Sequence, residues 1–77
     1  MDIKHTFGRV VAQKRAKAKL SQEKLCEAAG IDRSFLSEIE NGKFQPSLVT
    51  IFLLAKGLKC SATELIAEVE ARRPSIG

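Results

Sequence analysis

Two short amphipathic segments joined by a glycine turn constrain the fold of this chain more than any other feature. The first segment, residues 22–29, has apolar residues along one side: Leu25, Cys26 and Ala29. The second, residues 33–40, continues an apolar set that begins at the turn: Ile31, Leu36 and Ile39. Between them lies Gly30, and glycine adopts a positive φ angle at little steric cost. This pattern predicts two short helices that pack against each other.

The outer face of the second segment is made of hydrogen-bonding side chains: Arg33, Ser34, Ser37 and Glu38. Asp32, directly before it, is a suitable N-cap, because its carboxylate can accept a hydrogen bond from an early backbone N–H. A short helix with such a face, held against another helix by a tight turn, fits the major groove of DNA. We therefore predict a helix-turn-helix over residues 22–42.

Capping residues divide the rest of the chain into further short helices. Serines suited to the N-cap position precede three segments: Ser21, Ser47 and Ser61. With Thr6 as the first cap and Asp32 before the third helix, they predict five helices, at about residues 6–18, 22–29, 33–40, 48–56 and 62–72. No segment alternates with period two, so the predicted class is all-α. We expect residues 1–77 to form a single helix-turn-helix DNA-binding domain, with its core at residues 6–66, and the end of the fifth helix and a tail at residues 67–77.

Three local details complete the predicted helices. The inward side of the first helix is expected to consist of four residues: Phe7, Val10, Val11 and Ala18. Gly57 is expected to end the fourth helix, since glycine favours helix C-termini. Ser61 and Glu64 have the spacing of a capping box, in which each side chain bonds the backbone N–H of the other residue.

Positive charge is concentrated near the N-terminus. Residues 3–22 contain six basic residues and no acid: Lys4, Arg9, Lys14, Arg15, Lys17 and Lys19. Such a field suits a polyanion, although a merely solvated helix face explains the run equally well. If the partner is DNA, Lys17, Lys19 and Lys43 are expected to bind phosphates and to contribute affinity without reading sequence.

Catalytic, metal and membrane chemistry have little support in this sequence. Cys26 and Cys60 have no metal-ligand spacing and are expected to be buried free thiols. His5 has no catalytic or metal-ligand partner at suitable spacing, so no enzyme activity, metal or other cofactor is predicted. The N-terminus lacks an apolar leader, and the longest apolar run, residues 51–55, is too short to span a bilayer. We expect a cytoplasmic protein with no membrane partner and no evident small-molecule ligand.

Five short motifs occur in the chain in a characteristic order and at characteristic distances from one another. SQEKL, AGI, the pattern SxIExGK, PSL and AKGL follow one another within residues 6–66. In this order they resemble the XRE-like helix-turn-helix transcriptional regulators, the group of the lambda and 434 phage repressors. The resemblance implies sequence-specific binding of a palindromic double-stranded DNA operator by a homodimer. Among small members it is closest in kind to restriction–modification controller proteins, phage repressors and antitoxins. The alternative function is an antitoxin-type protein–protein module that also binds DNA.

The resemblance also implies which residues read bases. Residues at the positions of Arg33, Ser34 and Ser37 contact base edges in this family. Arginine at the first turn of the recognition helix can bond guanine O6 and N7, although a phosphate contact or a pair with Asp32 is the alternative. Glu38 is a further base-reading candidate, because its carboxylate can accept from cytosine N4 or repel other sequences.

Phe35 is apolar but lies near the exposed side of the same helix. It is assigned to the DNA-backbone contacts, where it would pack beside a sugar-phosphate, or else beside a thymine methyl group. Packing against Phe44 in the following loop is an equally weighted alternative.

Backbone and bracing roles are likewise implied by the resemblance. Gln22 is expected to bind a phosphate and to brace the next helix. Asn41 and Lys43 are expected to bind the DNA backbone beyond the recognition helix. Arg15 in the first helix is expected to pair with Glu40 in the third.

The sequence departs from the family pattern at helix 4 and at three other positions. Lys14, Lys19 and Cys26 stand where the family usually has an apolar residue, glycine and alanine. Phe52 and Leu53 replace partly polar positions and make helix 4 apolar nearly all round. We predict a homodimer surface there: Phe52, Leu53, Ile66 and Val69. A fully intramolecular core is the alternative, since so short a chain has few apolar residues to spare.

Overall fold

The computed structural model describes residues 1–76 and contains five α-helices in this part of the chain. They are α1 (Ile3–Lys17), α2 (Gln22–Ala29), α3 (Arg33–Glu40), α4 (Leu48–Gly57) and α5 (Ala62–Ala71). One isolated parallel bridge joins Asp2 to Ser75, and the all-α prediction is confirmed. Among the described residues, no helix is both long and apolar enough to cross a membrane.

Four predicted N-caps are confirmed by hydrogen bonds from the first turn of each helix. The side chains of four residues accept these bonds at 3.0–3.2 Å: Ser21, Asp32, Ser47 and Ser61. The Ser61 bond is the serine half of the predicted capping box. The carboxylate of Glu64 instead lies 3.7 Å from the Nζ atom of Lys14. Side-chain capping therefore accounts for where these four helices begin.

The predicted start of the first helix is wrong by three residues. Asp2 is the cap, and its Oδ1 atom accepts from the backbone N–H of His5 at 2.9 Å. That hydrogen bond lowers the pKa of Asp2. Thr6 lies inside the helix, and its hydroxyl donates to the Asp2 carbonyl oxygen at 2.9 Å. At the other end Ala18 is exposed rather than inward-facing.

A single apolar core joins the five helices. Its members are buried residues of every helix and of the α4–α5 link: Phe7, Val10, Val11, Leu25, Cys26, Ala29, Leu36, Ile39, Leu54, Ala55, Leu58, Leu65 and Val69. Helix α1 packs against α3 and α5, while α2 packs against α4. Ile3 also packs on this core, which therefore extends beyond the predicted limits of residues 6–66. Val69 is only 5% exposed, so its assignment to a dimer surface is wrong.

Two helices end at a lysine in the left-handed conformation. After α1, Lys19 has a φ angle of 59°, and after α4, Lys59 has a φ angle of 57°. In both places the N–H of the lysine and that of the following residue donate to carbonyl oxygens of the last helical turn, which would otherwise lack partners. Gly57 therefore does not supply the turn after α4. It is buried against α2, where an added Cβ would lie 2.8 Å from Cδ1 of Leu25.

Lys19→Gly is expected to raise the free energy of unfolding by about 0.5–1 kcal/mol, because glycine relieves the steric cost of the left-handed conformation. Urea denaturation of the two proteins measures the difference. Ala18→Gly is the matched control, since Ala18 has a φ angle of −79° and glycine there only adds flexibility. Equal destabilisation by both changes would contradict the expectation.

Candidate nucleic-acid interface

The carboxylate of Glu40 ties three helices together. It accepts from Nε of Arg15 at 2.7 Å and from Nη2 of Arg15 at 3.0 Å, a bidentate pair. It also accepts from Nε2 of Gln22 at 3.0 Å. The remaining Arg15 nitrogen, Nη1, donates to the carbonyl oxygen of Leu20 at 2.9 Å. The predicted Arg15–Glu40 pair is present, and Gln22 braces α3 as the family resemblance implied.

This ion pair is largely withdrawn from solvent. The side chain of Glu40 is 7% exposed. Its hydrogen bonds and charge raise the pKa of Arg15, although burial acts in the opposite direction. A bidentate arginine–carboxylate bond fixes orientation as well as distance. The end of α3 is therefore held in one orientation relative to α1 and α2.

Two glycines bring the N-terminal half of α1 against the end of α3, and sequence reasoning missed both contacts. A Cβ atom on Gly8 would collide with the Ile39 carbonyl oxygen and lie 2.9 Å from that of Glu40. Gly42 has a φ angle of 74°, and a Cβ there would lie 2.5 Å from the ring of His5. For Gly8 the available signal was a glycine inside an apolar helical pattern, which often marks a close approach of two backbones.

The N-terminus of α3 is ordered by Asp32. Its carboxylate accepts from the backbone N–H of Ser34 at 3.1 Å and also from the Ser34 hydroxyl. These bonds lower the pKa of Asp32. The Asp32 carboxylate thus bonds Ser34 rather than pairing with Arg33, whose side chain is exposed. With its proton engaged, the Ser34 hydroxyl is placed to accept a hydrogen bond.

The exposed face of α3 contains the four predicted base-reading residues. Arg33 and Ser34 are exposed, while Ser37 and Glu38 are half-buried. Successive residues of an α-helix turn by about 100°, which puts Ser34 and Glu38 opposite the buried Leu36. The structure thus brings these residues to one surface. Their contacts with DNA stay a prediction.

The segment after α3 is fixed by its backbone. The N–H of Gly42 donates to the Ile39 carbonyl oxygen at 3.0 Å, and that of Lys43 donates to Glu38 at 2.9 Å. This pair of bonds is the usual closure of a helix ending in a left-handed residue. Asn41 and Lys43, the predicted backbone-binding residues, are both exposed beside it.

Phe35 packs on Phe44, which is the alternative that the sequence left open. Their ring centroids lie 5.6 Å apart, and the rings meet edge to face at 67°. Phe35 is half-buried, whereas Phe44 is 45% exposed. An apolar surface therefore adjoins the polar face of α3.

The basic surface is smaller than the charge run suggested. Lys14, one of the six N-terminal cations, pairs with Glu68 of α5 at 2.6 Å, which raises the pKa of Lys14 and lowers that of Glu68. Arg15 is occupied by Glu40. Lys17 and Lys19 are exposed and are available to bind phosphates.

Helix α4 leaves part of its apolar surface uncovered. Phe52 is 58% exposed and, with Leu48 and Ile66, lines a depression of about 360 Å³ between α4 and α5. Leu53 is partly buried and packs against the core of its own chain. The alternative of a fully intramolecular core therefore fits Leu53 and Val69 but not Phe52 and Ile66, which are 58% and 44% exposed. Of the predicted dimer residues, Phe52 and Ile66 are exposed on this depression.

Both cysteines are free thiols. Cys26 is buried in the core, and Cys60 is only partly buried, contrary to expectation. Burial raises the pKa of both thiols, which keeps them protonated and unreactive near neutral pH. Within residues 1–76, no group of three or more histidine, cysteine, aspartate or glutamate side chains is placed to hold a metal ion.

Comparison with known proteins gives a consistent result. A family model described as helix-turn-helix matches residues 11–65. Control protein C.MunI from Mycoplasma sp is 37% identical over 70 residues, which cover 90% of this chain and 95% of that protein. Control protein C.SmaI from Serratia marcescens is 35% identical over 66 residues, covering 86% and 79%. The crystal structure of the restriction-modification controller protein C.AhdI from Aeromonas hydrophila is 38% identical, with a TM-score of 0.77, covering 79% of this chain and 92% of that chain.

The chain therefore belongs to the helix-turn-helix family, in the XRE-like class of DNA-binding transcription regulators. The three relatives just described are all control or controller proteins.

Proposed function

We propose that the protein is a controller-type transcription regulator that binds a palindromic DNA operator as a homodimer. The observation that carries this proposal is the exposed face of α3, held by the Glu40 carboxylate against α1 and α2. A preorganised helix loses little freedom when it enters the major groove. The names of the relatives support the controller type. Activity is exerted by occupancy of the operator, which blocks or recruits RNA polymerase.

Within this proposal the residues divide between reading and positioning. Arg33 reads a guanine from the first turn of α3, and Ser34, Ser37 and Glu38 contact neighbouring base edges. Phosphates are bound by side chains around this helix: Lys17, Lys19, Gln22, Asn41 and Lys43. Gln22 can offer DNA its second amide hydrogen, because only one is needed for the bond to Glu40.

Selection of bound duplexes from a random DNA pool tests the proposed function. The expected result is a two-fold symmetric site whose half-sites lie about 34–36 Å apart, one helical turn. Arg33→Ala should then weaken binding by about 1–3 kcal/mol per half-site and relax the preference at one position. Lys43→Ala is the matched control, since losing a phosphate contact weakens all sequences alike and lowers the salt dependence. Failure to enrich any sequence would reject the proposal.

The proposed homodimer forms through the exposed α4–α5 face. Phe52 and Ile66 leave apolar side chains in water that a second copy would cover. Two copies also supply the two recognition helices that a palindromic operator requires.

Phe52→Asp is expected to convert a dimer of about twice 8.4 kDa into a monomer and to abolish high-affinity operator binding. Sedimentation equilibrium measures the first effect and a titration with the selected duplex the second. Val49→Asp is the control, because Val49 is exposed on the same helix but does not line the depression. A wild-type monomer at high micromolar concentration would contradict the dimer.

A further inference from the structure

We propose that the Phe35–Phe44 pair is a specificity element that recognises the C5 methyl group of a thymine in each half-site. This inference rests on the proposed function and adds one base position to it. Phe44 supplies the contacting ring. Phe35 is the positioning residue that holds this ring beside α3.

The position of the pair supports this role. Phe44 follows α3 in the chain, but its ring packs on Phe35, which is the third residue of that helix. The ring therefore returns to the N-terminal part of α3, the end that points towards base edges in this motif. The backbone bond from Lys43 to Glu38 fixes the start of the loop that carries it.

The Phe35–Phe44 pair lies at one edge of the reading surface, which is the exposed face of α3 with Arg33, Ser34, Ser37 and Glu38. Helical geometry puts Phe35 between the buried Ile39 and the half-buried Glu38. Arg33 lies at the opposite edge of the same exposed face. The face therefore has a cation along one edge and an aromatic surface along the other. Guanine and thymine present matching features in the major groove, acceptor atoms and a methyl group respectively.

Phe44 is exposed outside the apolar depression between α4 and α5. Leu48, Phe52 and Ile66 share the α4–α5 depression, and Phe44 does not line it. The ring is also not needed to fill the core, since it is 45% exposed. An exposed ring that packs on a half-buried ring beside the polar face of α3 forms an apolar surface able to contact an apolar group. In the major groove the thymine methyl group is the apolar feature that carries sequence information.

The test replaces thymine by deoxyuridine, which removes only the C5 methyl group, at each thymine of the selected operator in turn. For the wild-type protein, replacement of one thymine per half-site should weaken binding about fourfold, as expected when one methyl group is no longer available for burial against the protein. For Phe44→Ala, the thymine and deoxyuridine duplexes should bind equally. Phe44→Leu should keep most of the difference, because leucine still presents an apolar surface. Phe35→Ala should also lose the difference in affinity between the thymine and deoxyuridine duplexes, since Phe44 then has no ring to pack on.

Val49→Ala is the matched control and should keep the wild-type ratio of affinities, because Val49 is exposed on α4 and outside the pair. Thermal denaturation verifies that each variant is folded. A wild-type ratio near one at every thymine would overturn the inference and assign the rings to deoxyribose or to packing alone. An unchanged ratio in folded Phe44→Ala would overturn it as well. In both cases sequence-specific binding of the thymine duplex would leave the proposed function standing.

Discussion

Gly8→Ala is expected to lower the free energy of unfolding by about 3 kcal/mol, the upper part of the range for overpacking. The added Cβ would collide with the Ile39 carbonyl oxygen and lie 2.9 Å from that of Glu40. Both obstacles are backbone atoms, so no side-chain rotation relieves the contact. Alanine gains about 1 kcal/mol of helix propensity over glycine, which is too little to compensate. Urea denaturation measures the loss.

The same change should also weaken operator binding, because α1 can accommodate the methyl group only by moving away from the end of the recognition helix. Arg9→Ala is the control, since Arg9 is exposed on the same helix and its loss should change stability by less than about 0.5 kcal/mol. Gly57→Ala should give a smaller loss than Gly8→Ala, because its nearest obstacle is a flexible side-chain atom of Leu25. Wild-type stability of Gly8→Ala would mean that α1 and α3 do not meet at this glycine.

Glu40→Ala is expected to cost about 3 kcal/mol, as removing one partner of a buried ion pair does. The Arg15 guanidinium would lose both hydrogen bonds to the carboxylate, and the Gln22 amide would lose its acceptor. Because α1, α2 and α3 are joined through this one group, DNA affinity should fall further than stability alone explains. Denaturation and DNA titration, carried out at a temperature where the variant is folded, separate the two effects.

The double change Arg15→Met and Glu40→Leu tests whether the ion pair only stabilises the fold or also orients the groups that bind DNA. Replacing both charges by apolar groups often restores stability, since no charge is left buried. We expect near wild-type stability but weak DNA binding, because Gln22 no longer has Glu40 to hold it. Full recovery of DNA binding would show that the carboxylate contributes stability alone.

Features set by neighbouring residues were predictable from the sequence. The caps at Ser21, Asp32, Ser47 and Ser61 were found because a side chain bonds a backbone N–H two or three residues later. The sequence predicts that α1 starts at Thr6, but Asp2 also has a suitable side chain and is the cap in the structure. Local chemistry alone does not decide between two candidate caps.

Features set by contacts between helices were harder to predict. Ile66 and Val69 both belong to the apolar stripe of α5, but Val69 turns into the core while Ile66 is exposed. The difference depends on how α5 is rotated against α1, which the period of the stripe does not specify. The close approach at Gly8 likewise depends on two helices distant in sequence. Lys14 belongs to the basic run of the sequence, but its partner Glu68 lies on another helix, which the run itself does not indicate.

The Arg15–Glu40 pair was anticipated only through family resemblance, because 25 positions separate the two residues. The roles of Arg33, Ser37 and Lys43 at DNA remain predictions. Their placement on one surface is a property of the fold, whereas their contacts depend on the operator.

The bridge between Asp2 and Ser75 places the two ends of the described chain side by side. The N–H of Ile3 donates to the Ser75 carbonyl oxygen, and the N–H of Ser75 donates to that of Met1, both at 3.1 Å. A short peptide could therefore join residue 76 to residue 1, and new termini could open at the exposed Lys59 in the α4–α5 link, outside the surface proposed to contact DNA bases. The order in which the helices occur along the chain is thus separable from the way they pack, and a circularly permuted protein should keep the same reading surface.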